Sequence, residues 1–313
     1  MFVYNLVIFS QDFEVKNFNQ SNSPIFSNTI QTIEFDKKNI VWFGSSDAGL
    51  IRFDGNEFTN FNINNSNLPH NNVYTLALDS SNFLWIGTFG GGAAKMDLSD
   101  SQIIVYNVDN SGIKHNWIYS ISIDKENNKW FGTSGSGLIK FDNENWTEYN
   151  DKNSPIPTYK VPSVFIDKSN NKWVGTLKGL LKFDNNNNWF NYAENLGLPS
   201  VSVYSVIVDN DSTVWVGYKH GGVGKIKKNK TNLFTRENSA LPSNVVYSLA
   251  EDIDGSIWVG SFGSGLIRIS GNEWKVFDKT NSFLEDNLVY RVKIDKNGNK
   301  YVGTHFKGIY IFK

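Results

Sequence analysis

One aromatic position recurs along the whole of this 313-residue chain, at Trp42, Trp85, Trp130, Trp173, Trp215, Trp258 and Tyr301, in steps of 43, 45, 43, 42, 43 and 43 residues. Six residues before each stands an aspartate: Asp36, Asp79, Asp124, Asp167, Asp209, Asp252 and Asp295. Two residues after each comes a glycine, and a second glycine follows five residues later, or four later at Gly179 in the fourth copy. A period of this length is that of propeller blades, and it ties the fold to a unit that must be stacked to be stable.

The sixth copy shows what the unit is. Apolar and small residues alternate from Val246 to Ala250 and stop at Asp252-Ile-Asp-Gly, which is turn chemistry: a carboxylate to cap backbone amides and a glycine for positive φ. A second strand is expected over 256–261, where Gly260 leaves room for a neighbouring backbone, a third over 266–269 after the Gly263–Gly265 turn, and a fourth over 273–277. The fourth strand carries aromatics three residues apart (Phe58 and Phe61, Trp146 and Tyr149, Trp189 and Tyr192, Trp274 and Phe277). The apolar period is two, no segment carries a helical stripe, and a lone sheet apolar on both faces is marginal in water. The fold class predicted is therefore all-β, a seven-bladed β-propeller of four-stranded antiparallel blades. The seventh copy ends after its third strand, and the stretch around Phe13–Phe18 looks like the fourth strand of the sixth copy. Residues 11–20 are accordingly expected to complete the blade of 289–313, closing the ring, with 11–313 forming one propeller.

The balance of 30 basic and 31 acidic side chains without a basic run argues against nucleic acid or an anionic membrane as partner. The chain has no cysteine, so no disulfide framework is implied. The apolar segment 1–10 is too short to span a bilayer; it reads as the tail of a secretion signal or as an extra edge strand.

The repeat, with its Val-Tyr-Ser-Leu, Asp-x-Asp-Gly-x-Ile-Trp-Val-Gly, Gly-Leu-Ile-Arg/Lys and closing Trp-x-x-Phe/Tyr, resembles the two-component regulator propeller repeat over residues 28–313. That resemblance implies the extracytoplasmic sensor part of a signal-transduction protein, often glycan-responsive, and hence a periplasmic or secreted location. The family's second propeller, β-sandwich module, membrane span and kinase are not found in this sequence, so signalling by this polypeptide itself is not expected. The repeat is also similar to that of the streptogramin B lyases, seven-bladed propellers in which a histidine, a nearby carboxylate and Mg²⁺ are used. No motif here matches those residues position by position. Three readings follow: a binding module for an oligosaccharide, a peptide or a protein partner; a lyase-like metal-assisted enzyme; and an interaction scaffold without a small ligand. The first is preferred, with no catalytic residue, metal or cofactor assigned.

In a meander, the loops between blades and the loops joining second to third strands emerge at one end, the Asp hairpins at the other. All four histidines fall at the first end: His70 and His115 between blades, His220 and His305 after second strands. The candidate ligand-binding residues there are Trp117, Arg291, His115, His220, His305, Phe89, Phe262, Phe306, Lys178 and Tyr159. Trp117 is the one tryptophan of ten outside the two repeat positions; its ring could stack on a ligand or pack over the adjacent blade. Arg291 stands where the other copies place Thr or Ser, which suggests an anionic contact near the channel. The histidines belong to different blades and show no metal-ligand spacing. The seven aspartates are expected to be structural turns, the third-strand bases (Arg52, Lys95, Lys140, Lys182, Lys225 and Arg268) scaffold, and the Gly90–Gly92 and Gly135–Gly137 strings turns rather than phosphate loops.

Overall fold

A computed structural model describes residues 14–313. In the first blade the strands are Ile30–Phe35, Val41–Ser45, Leu50–Phe53 and Phe58–Phe61, hydrogen-bonded in sequence order. Six further four-stranded sheets follow, the last assembled from Val289–Ile294, Lys300–Thr304, Ile309–Phe312 and, as its outer strand, Lys16–Phe18. Lys16 faces Ile311 and Phe18 faces Ile309 in that antiparallel pair, so the ends of the described chain close the ring as expected. Segment 1–10 and the first residues of the 11–20 strand lie outside the described residues.

Each repeated residue has a packing task. The seven motif aromatics are all buried, at most 8% exposed. Six of them are tryptophans whose indole N–H donates to the Oδ2 of the aspartate six residues earlier, at 2.8 to 3.3 Å. The other carboxylate oxygen caps the hairpin: Asp36 Oδ1 accepts from the Lys38 and Ile40 amides, and Asp79 Oδ1 from those of Ser81 and Phe83. Turn and core are thus pinned by one side chain. The third-strand bases sit across from the motif tryptophans and lay their charges over aromatic rings, Lys225 at 4.8 Å from the Trp215 centroid and Lys182 at 5.5 Å from that of Trp173.

The glycine after each aromatic sets how closely blades approach. A Cβ on Gly132 would lie 2.3 Å from the Val161 carbonyl oxygen of the next blade, and one on Gly303 would lie 2.8 Å from the Ile30 oxygen across the closure. Inner strands can therefore pack side by side all the way round, the seventh against the first.

The loops between blades explain the asparagine content. In six of them an Asn side chain accepts from a backbone amide three residues earlier and donates to a carbonyl five residues earlier, and the following Ser donates to the carbonyl four residues back, as in Asn65 and Ser66. The fourth blade departs from this pattern, and from the sequence expectation. Its outer strand is only Trp189–Asn191, and a five-residue helix, Tyr192–Leu196, takes the place of the loop. Asn191 caps it by accepting the Ala193 and Glu194 amides, and Gly197 ends it at φ 67°. Tyr192 is then the start of a helix, not a strand residue. No helix among the described residues is long and apolar enough to cross a membrane.

Candidate functional site

The channel is shaped by a defect repeated in six blades. Where each inner strand begins, its pairing with the second strand slips by one residue: between Ile30 and Thr32, Val73 and Thr75, Ile118 and Ser120, Val203 and Ser205, Val246 and Ser248, and Val289 and Arg291. The residue left over is re-aimed by the bulge. In five blades it is a tyrosine (Tyr74, Tyr119, Tyr204, Tyr247 and Tyr290), in the first it is Gln31, and the unbulged fourth blade offers Pro162. Together with Arg291 these side chains line a chamber of about 40 Å³. Tyr74 packs edge-on to Tyr119 at 5.5 Å, and Tyr247 likewise to Tyr204 at 5.2 Å and Tyr290 at 5.4 Å. Beyond this neck, towards the Asp hairpins, the channel widens into a funnel of about 460 Å³. The tyrosines were legible as part of the Val-Tyr-Ser-Leu repeat, yet their convergence was not, because the bulge that turns them inward breaks the strand alternation.

On the other side of the neck lies the rim. Phe89 and Trp117 come from adjacent blades, form an isolated antiparallel bridge and stack at 4.2 Å with planes 22° apart. Trp117 thus packs on the neighbouring blade, as one of its two readings foresaw, while 40% of the residue stays exposed. Phe262 repeats the bridge with Leu288 and lies 5.5 Å from the Tyr247 ring. His305 stands edge-on to Tyr290 at 5.3 Å and contacts Phe306, which is 58% exposed, at 4.0 Å. The rim aromatics thus continue outward from the tyrosine neck.

The histidines do not act as a group. His115 Nδ1 accepts the Trp117 amide at 3.1 Å, and His70 Nδ1 accepts that of Asn72 at 2.9 Å. Ser27, Thr158, Ser243 and Asp286 perform the same turn in other blades. Burial, with Lys160 adding to it, lowers the pKa of His115. His305 Nδ1 is buried without a hydrogen-bond partner among the described residues. His220 and Lys178 are exposed, and Tyr159 is drawn to the Asp151 carboxylate of its own loop, which raises its pKa. No three His, Cys, Asp or Glu among the described residues are grouped to hold a metal ion. Arg291 sits inside the channel at the neck, where its Nε donates to the Gln31 carbonyl at 3.3 Å.

The two-component regulator propeller family model matches residues 67–90 and 240–263. No curated protein matches the chain. Among solved structures, the extracellular domain of the putative hybrid two component system BT3049 from B. thetaiotaomicron is similar at TM-score 0.81 and 18% identity, over 96% of this chain and 41% of that one. A streptogramin B lyase structure is similar at TM-score 0.78 and 16% identity, over 96% and 97%. PorZ, described as a surface component of the type-IX secretion system of Porphyromonas gingivalis, is similar at 0.74 and 18%, over 93% and 48%. The chain therefore spans about two fifths of the length of the first of these, and at such identities the likeness is one of fold. What the sequence and the structure establish together is a seven-bladed propeller in which residues 67–90 and 240–263 match the two-component regulator propeller model.

Proposed function

We propose that this chain is an extracytoplasmic binding module, resembling the sensor portion of two-component regulators, that takes a neutral oligosaccharide on the aromatic rim of its channel. The observation that carries this reading is the convergence at one end of a closed scaffold of the Phe89–Trp117 stack, Phe262, Phe306 and the ring of channel tyrosines. Flat, partly exposed rings suit the apolar faces of sugars, and a channel mouth is where such scaffolds place ligands. The relatives in fold support a location outside the cytoplasm, because the first of them is an extracellular domain.

The test is a thermal-shift screen of the purified protein against neutral oligosaccharides and short peptides. A saccharide that stabilises the wild type, with the shift reduced at least tenfold in affinity by Trp117→Ala or Phe262→Ala, supports the reading. A stabilising peptide with the same dependence would replace the saccharide by a protein partner. Hits insensitive to both substitutions would overturn the site.

A further inference from the structure

The next residue along each inner strand forms a second level in the channel: Thr32, Thr75, Ser120, Ser163, Ser205 and Ser248 in six blades, Arg291 in the seventh. Five of these hydroxyls tie one blade to the next, Ser163 by donating to the Val203 carbonyl at 3.2 Å and the other four by accepting. Thr75 accepts the Ile121 amide at 3.3 Å, Ser120 that of Val164 at 2.9 Å, Ser205 that of Leu249 at 3.1 Å and Ser248 that of Val292 at 2.8 Å. A serine at 291 would suit the same tie to the first blade. The chain places a guanidinium there instead, and uses only its Nε, on the Gln31 carbonyl.

The rest of that guanidinium has no ion pair and no further hydrogen bond among the described residues. It borders both the 40 Å³ neck chamber and the 460 Å³ funnel. Burial weakens its hold on its proton, while the Tyr74 ring and Glu34 lie close enough to influence it. Glu34 is itself paired with Lys293, so it does not neutralise Arg291 alone. The hydroxyls of Tyr74, Tyr204, Tyr247 and Tyr290 line the same chamber without protein partners among the described residues, and burial pushes the Tyr74 phenol up, keeping it a neutral donor. A cation and several O–H groups without protein partners thus face one small space, which favours a guest that accepts from them. The chamber is larger than the roughly 10–15 Å³ that one water needs.

We infer that the channel neck is a binding site for one small oxyanion or carboxylate, held by the guanidinium of Arg291 and the hydroxyls of the channel tyrosines. Guanidinium supplies the charge and a planar pair of donors, and the phenols around the neck supply further donors. The site is reached from the funnel, and it stands whatever the rim binds.

Calorimetric titration with sulfate and with acetate in low-salt buffer, alongside sodium chloride at matched ionic strength, tests it. The wild type should show saturable binding of at least one of the two anions, and their ratio tells a tetrahedral guest from a planar one. Arg291→Ser installs the residue type the other blades carry, so the fold should be kept, as circular dichroism and gel filtration can verify. Its affinity should fall at least roughly tenfold, the loss of one charge-assisted contact. Tyr74→Phe, which keeps the ring and deletes a donor, should weaken binding several-fold. Absence of saturable binding in the wild type, or equal affinity in wild type and Arg291→Ser, overturns the inference. Should Arg291→Ser fail to fold, unchanged affinity in a Tyr74→Phe, Tyr247→Phe double variant overturns it equally.

Discussion

At the scale of single residues, one repeated side chain carries unequal weight in different blades, and the neighbours decide how much. Asp209 accepts the Trp215 indole at 2.8 Å and the Thr213 amide at 2.8 Å. Asp79 does the same for Trp85 and Phe83, but also faces Lys129 of the next blade at 3.4 Å, both side chains 1% exposed. Asp209→Ala should therefore cost about 1–3 kcal/mol, whereas Asp79→Ala, which strands a buried ammonium, should cost about 3–5 kcal/mol, measured by urea unfolding. Tyr218 is the opposite case. It stands where other copies have a Ser or Thr bonded to the turn, fits over Gly224, and buries a hydroxyl without a partner among the described residues. Tyr218→Phe should raise stability by about 1 kcal/mol in the same assay. His115 gives a pH signature. Its folded pKa is held below the ordinary 6.5, so its contribution is full above pH 6.5 and is lost as pH falls through the lowered value, when the protonated Nδ1 can no longer accept the Trp117 amide. His115→Ser, which copies Ser27 and Ser243, should keep the turn and flatten that part of the pH–stability profile.

At the scale of elements, the short outer strand Lys16–Phe18 matters more than its three residues suggest, because it covers the edge of Ile309–Phe312 and seats Phe18 against Phe53 and Phe58 of the first blade. Deleting residues 1–20 should expose that edge and give concentration-dependent association in gel filtration, with a lower melting temperature. A truncated protein that stays monomeric and melts unchanged would refute this account of closure. The strand pattern, the hairpins and this closing strand were all legible in the sequence, since period-two alternation and turn residues act locally. The helix Tyr192–Leu196 was not, because five residues are too few to show a helical stripe and its existence rests on one cap at each end. The bulges were hidden for a related reason: slipping the pairing by one residue at the start of a strand leaves composition untouched.

At the scale of the whole molecule, closure makes the seven blades interchangeable as starting points. The third strand of the last blade and the strand that completes it are already antiparallel neighbours, with Lys16 opposite Ile311. A permutant that joins Lys313 to Glu14 through a short Gly-rich turn and opens the loop at Pro199–Ser200 should therefore be monomeric with an unchanged near-ultraviolet dichroism spectrum. An aggregated permutant, with the linker length varied, would show that the order of synthesis around the ring matters more than the ring itself.

By itself the sequence determined the unit, its number and the end of the ring at which unrepeated residues gather, because a period of about 43 residues with fixed Asp, Trp and Gly spacings admits only radial stacking of one meander. Only the tertiary structure decided which of those residues meet. It joined Phe89 to Trp117 across two blades, put His70 and His115 to work in turns, set Tyr159 beside Asp151 of its own loop, seated Arg291 at the channel neck, and turned five tyrosines into the channel. The reason is that repeat spacing fixes where each backbone position lies around the axis, whereas the direction of a side chain there depends on one-residue slips and on the next blade, neither of which leaves a trace in a single copy.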